Sequence, residues 1–141
     1  MTSLNAFLSQ NVEKIENKKV VISTRFKDEK GNPIEWELKS LTAEENDLIQ
    51  NGCFVNVPVP GRKGQYTREL DKNKYTARLL AECVVYPDLN NAELQDSYGV
   101  KNPGDLIKKM LTLGEYNKLA EEMSKLSDNE TMNDLVDEAK N

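Results

Sequence analysis

The side chains in this 141-residue chain with the greatest capacity for chemistry are its carboxylates, and their spacing argues against catalysis. Glu44 and Glu45, Glu121 and Glu122, and Asp137 and Glu138 are neighbours in sequence. Neighbouring helical positions do not face one another, so adjacency alone builds no acid–base couple across a cleft. The chain contains no histidine. That removes the usual proton-transfer group at neutral pH, the commonest zinc ligand and every Ser-His or Cys-His nucleophile. Cys53 and Cys83 lie far apart, without CxxC spacing, and read as small apolar residues. The Gly61-Arg-Lys-Gly64 stretch pairs two glycines with two cations. It lacks the GK[ST] ending of a phosphate-binding loop and reads as a solvated turn. No calcium loop, HExxH, GxSxG or GxGxxG motif is present. The expectation is a non-enzyme with no catalytic residue, no cofactor and no metal.

Charge and hydropathy narrow the partners. The chain carries 19 basic and 24 acidic residues, a net charge of −5. The excess sits beyond residue 120, where Glu121, Glu122, Asp128, Glu130, Asp134, Asp137 and Glu138 face only Lys125 and Lys140. Nucleic-acid binding calls for a basic excess or stripe, so nucleic acid is not expected. No apolar run approaches the roughly 20 residues that cross a bilayer, and MTSLNAFLSQ does not read as a secretory signal. The expected setting is the cytoplasm, with no membrane partner.

The elements that would position a binding surface follow from periodicity and punctuation. Residues 18–26, KKVVISTRF, are β-branched and partly alternating, and Gly31-Asn32-Pro33 marks a turn. Residues 34–40 alternate, with Ile34, Trp36 and Leu38 on one face, so the spacing predicts an antiparallel hairpin over about 18–40. A short helix through Leu4, Phe7 and Leu8 is expected near the start. Thr42 and Glu45 form a capping box for a helix running to Asn51 and stopping at Gly52. Pro58 and Pro60 bar a central strand, which leaves an edge strand or arm returning through Gly61–Gly64 into residues 65–70. Asp71 caps a helix through Tyr75, Leu79, Cys83 and Val84, and Asn90–Glu93 opens a shorter one closing at Gly99. Asn102-Pro103-Gly104-Asp105 starts another helix, and Thr112 with Glu115 starts the last, with Gly114 a candidate either for a bend in the chain or for close helix approach.

Strands first and helices later indicate an α+β fold: a small antiparallel sheet carrying several short helices, with an all-helical C-terminal part. Residues 1–127 form one domain, and 128–141 an acidic tail that is weakly helical or disordered by composition. Across the last two helices of the domain runs an apolar stripe, Leu106, Met110, Leu113, Tyr116, Leu119 and Met123. Helical spacing alone favours core. The density of large apolar groups, with methionine and tyrosine among them, also suits an adaptable surface for a partner protein.

With these residues in place, the chain resembles the XkdN-like tail assembly chaperones of tailed phages and of prophages in Gram-positive bacteria. The resemblance rests on SLNAFLSQNV, PIEWELKSLTAEEND, YTARLLAECVVYPDLNNAELQDSYGV and NPGDLIKKMLTLGEYNKLAEEM, nearly the whole chain to about residue 126. It implies a non-catalytic chaperone that binds the tape measure protein and keeps it soluble until the tail tube polymerises. The tail tube protein is then a second candidate partner. The resemblance also implies action in the bacterial host cytoplasm and absence from the mature virion. A homo-oligomer remains open, and the rival role is a structural tail or head-completion component that stays in the particle.

Overall fold

The computed structural model describes residues 3–127, so the expected acidic tail at 128–141 lies outside the described residues. The elements in chain order are α1 (Leu4–Phe7), β1 (Lys18–Val20), β2 (Trp36–Leu38), α2 (Ala43–Asn51), β3 (Phe54–Pro58) and β4 (Tyr66–Leu70). They continue with α3 (Lys72–Cys83), β5 (Val84–Tyr86), α4 (Ala92–Ser97), α5 (Pro103–Met110) and α6 (Leu113–Leu126). The fold is α+β, with a three-stranded antiparallel sheet in the order β1-β2-β5, a separate β3–β4 hairpin, and a helical C-terminal part.

The expected hairpin forms, with Lys18 opposite Leu38 and Val20 opposite Trp36. Its turn is locked by the Asp28 carboxylate, which accepts from the backbone N–H groups of Lys30 and Asn32, both at 2.9 Å. Gly31 supplies the positive φ of 83° that this turn requires. The paired strands are shorter than the β-branched run suggests. Beyond Val20 the chain leaves the sheet because Ser23 and Arg25 bind Glu115, ninety or more positions away. A tertiary anchor thus overrides local strand preference.

One strand departs from the sequence reading. Helical spacing carries the expected helix through Val84, but α3 ends at Cys83 and Val84 opens β5. The Lys39 N–H donates to the Cys83 carbonyl at 2.8 Å, and Leu38 then pairs with Val84. β-branched residues ahead of Pro87 gain a ladder partner there that a further helical turn would lack.

The caps match their sequence signatures. Thr42 and Thr112 each close a full capping box with Glu45 and Glu115, while Asp71, Asn91 and Asn102 accept from the expected backbone N–H groups. The core brings the sheet against α3, α5 and α6 through Trp36, Leu38, Leu80, Leu106, Ile107 and Leu119. α3 and α5 meet closely at Gly104, where an added Cβ would stand 3.3 Å from the Arg78 Cγ. Gly114, expected either to bend the chain or to stand at such an approach, has open space around it, so no helix packs closely on it. No buried side-chain nitrogen or oxygen among the described residues lacks a partner.

Candidate functional site

The corner where α5 hands over to α6 is held by hydrogen bonds from its own caps and from the segment after β1. Asn102 Oδ1 accepts from the Asp105 N–H at 2.8 Å, and Pro103 fills the first turn of α5, where its missing N–H costs nothing. At the other end the Arg25 guanidinium donates to the Met110 carbonyl at 2.7 Å, capping α5 with a cation as its dipole favours. The same guanidinium makes a two-pronged contact with Glu115, Nη2 to Oε1 at 2.6 Å and Nε to Oε2 at 3.1 Å. Ser23 Oγ donates to Glu115 Oε2, and the Thr112 N–H donates to Oε1 at 2.9 Å.

Glu115 is therefore held as a carboxylate, its pKa depressed to about 2, first by the Arg25 bond and then by Ser23 and Thr112. One turn before the C-terminal end of α6, Glu122 is buried and takes a 2.5 Å ion pair from Lys18 of β1. That bond pulls the Glu122 carboxyl below its ordinary range. Strand β1 and the segment that follows it thus hold the last helix near both of its ends.

This corner forms one wall of an open groove of about 420 Å³. Leu111, Thr112, Leu113 and Tyr116 line it from the corner, Asn73 and Thr76 from α3, and Lys108 from α5. A second, more polar groove shares Asn73 and Lys108 with it and continues past Lys74, Arg78 and Asp105.

The six stripe residues divide between core and surface. Leu106 and Leu119 are 0% exposed and Met110 is 5% exposed, all within the main core. Tyr116 and Met123 are half-buried against that core, and Leu113 is 78% exposed at the groove. A partner that docks without opening the domain can therefore meet Leu113, Tyr116 and Met123. The other three support that surface from beneath. Met123 faces a different, smaller recess, shared with Leu41, Ala43, Leu79 and Ser127.

Two features were not anticipated from the sequence as site elements. Leu111 joins the groove because the chain turns there, which periodicity within α5 cannot reveal. At the opposite end of the chain, Leu4, Phe7, Leu8, Val12 and Ile15 are all exposed, with Phe7 at 78%. α1 spans only Leu4–Phe7, and its Ser3 cap makes no side-chain bond. A short amphipathic segment with large apolar residues in water is the signal that would have marked it.

Cys53 and Cys83 are free and buried. Burial pushes the Cys83 thiol up to about 12, which disfavours the reactive thiolate. Among the described residues no group of three or more histidine, cysteine, aspartate or glutamate side chains could hold a metal ion. No helix among them is long and apolar enough to cross a membrane.

Known proteins match nearly the whole chain. Residues 4–140 match the family model of the phage XkdN-like tail assembly chaperone proteins. The chain is 34% identical to the phage-like element PBSX protein XkdN of Bacillus subtilis (strain 168), across 98% of this chain and 93% of that protein. It is 32% identical to the uncharacterized protein YqbN of the same organism, with the same coverage. The crystal structure of YqbN superposes with a TM-score of 0.73 at 25% identity, covering 90% of this chain and 97% of that one.

Proposed function

The chain belongs to the XkdN-like phage tail assembly chaperones, and on that premise we propose that it binds the tape measure protein and keeps it soluble until the tail tube polymerises. It acts by binding, without catalysis, in the cytoplasm of the bacterial host, and leaves before the virion is complete. The observation that carries this reading is the groove at the α5–α6 corner, with Leu113 exposed beside Tyr116 and Lys108 at the rim. A holdase needs apolar area on a rigid support, yet contacts weak enough for tube subunits to displace. A single exposed leucine and a half-buried tyrosine offer a modest apolar contact. Many copies along one long client would raise retention through multivalency. The exposed Leu4, Phe7 and Leu8 add a second apolar contact of similar character.

The test is co-expression with the tape measure protein of the same genome, with a tag on one partner only. The expected outcome is a soluble tape measure protein that co-elutes with several copies of this chain. An insoluble tape measure protein with nothing co-eluting overturns the reading. Detection of the chain in purified virions by mass spectrometry would instead favour the structural role.

A further inference from the structure

The β3–β4 hairpin projects from the domain, and its backbone carries information about what it pairs with. Two hydrogen bonds fix its phase: Val59 N–H to the Gln65 carbonyl at 3.0 Å, and Asp71 N–H to the Cys53 carbonyl at 2.9 Å. With Val55 opposite Glu69 and Val57 opposite Thr67, the odd-numbered pairs are the hydrogen-bonded ones, because bonded and non-bonded pairs alternate in an antiparallel ladder. The even-numbered residues therefore turn their N–H and C=O groups outward. On β3 one of these is Pro58, opposite Tyr66, and it has no N–H to offer. That edge is blunted. On β4 the outward residues are Tyr66, Arg68 and Leu70, all with donors. No hydrogen bond to their outward groups is present among the described residues. The free edges of the three-stranded sheet run only three residues each, Lys18–Val20 and Val84–Tyr86, against five for β4.

We propose that the outer edge of β4 pairs antiparallel with β4 of a second copy of this chain, about a two-fold axis at Thr67. Outward-facing residues must meet outward-facing residues, so only alternate registers are allowed. An axis at Arg68 opposes two arginines and an axis at Glu69 opposes two glutamates. An axis at Thr67 opposes Thr67 to itself, a favourable cross-strand pair, and sets Tyr66 against Arg68 of the second copy twice. It also sets Glu69 against Gln65 of the second copy. Charges on an edge usually discourage pairing. In this register the two charged residues of β4, Arg68 and Glu69, meet the neutral Tyr66 and Gln65.

Cysteine cross-linking of the full chain tests the register, since Cys53 and Cys83 are both buried. At the axis, a non-hydrogen-bonded pair brings Cα atoms to about 4.5 Å, within disulfide reach. Thr67→Cys should give a covalent dimer on mild oxidation. Glu69→Cys, whose two copies stand four residues apart along the ladder, roughly 13 Å, should stay monomeric on the same gel. Light scattering of the unmodified chain should give twice the 16.0 kDa chain mass. Tyr66→Pro removes an outward donor without touching the β3–β4 ladder and should return the mass to that of one chain. A monomer throughout the concentration range, or equal cross-linking of both cysteine variants, overturns the proposal. If Tyr66→Pro fails to fold, the two cysteine variants still decide it.

Discussion

The α5–α6 corner and the β3–β4 arm are both built from short elements, yet they are held in opposite ways. The corner rests on long-range contacts: Arg25 and Ser23 bind Glu115, Lys18 binds Glu122, and Leu106 and Leu119 lie in the shared core. The arm rests on its own ladder and on Arg68 stacked 4.6 Å from the Phe54 ring centroid. No residue of either arm strand is buried. Rigid presentation of a small apolar surface therefore belongs to the corner. An unpaired backbone edge, whose affinity lies in main-chain hydrogen bonds, belongs to the arm.

Mutations can break that contrast in a graded way. The largest effect should come from Leu119→Ala, which empties a fully buried site and should cost about 2–5 kcal/mol by urea denaturation. Val55→Ala on the arm should change stability by no more than about 0.5 kcal/mol. Next comes the Glu115 anchor. Its folded pKa of about 2 lies below the ordinary 4.5. Its stabilisation is therefore complete above about pH 4.5 and is lost as pH falls toward 2. Glu115→Gln keeps an acceptor for the Thr112 N–H but loses the charge-assisted contact with Arg25, and should flatten this part of the stability–pH profile. A profile unchanged by the substitution would remove Glu115 from its place at the corner. The smallest effect on folding should come from Leu113→Asp, within about 0.5 kcal/mol because the side chain is exposed. That variant should nevertheless lose client in the co-expression assay. Unimpaired retention would move the contact surface to the N-terminal Leu4, Phe7 and Leu8.

Much of the architecture was legible in the chain itself. The caps at Thr42, Asp71, Asn102 and Thr112 are local chemistry, a side-chain oxygen meeting backbone N–H groups two or three residues on, and sequence states them directly. The turn at Gly31 and the prolines that confine β3 to an edge are local in the same sense. The family was legible too, through wording spread along nearly the whole chain.

Other features were decided only in three dimensions. Val84 suits the end of a helix or the start of a strand, and pairing with Leu38 settles which. Arg25 reads as one charge among nineteen basic residues until the fold brings Glu115 and the Met110 carbonyl to it. The apolar stripe shows one period from Leu106 to Met123, but the turn at Leu111 and Thr112 rotates its two halves differently against the core. Leu106 and Leu119 are thereby sealed in, and Leu113 is left in water. Periodicity fixes which residues share a helix face. What covers that face depends on contacts between positions far apart in the chain, and those form only when the whole domain closes.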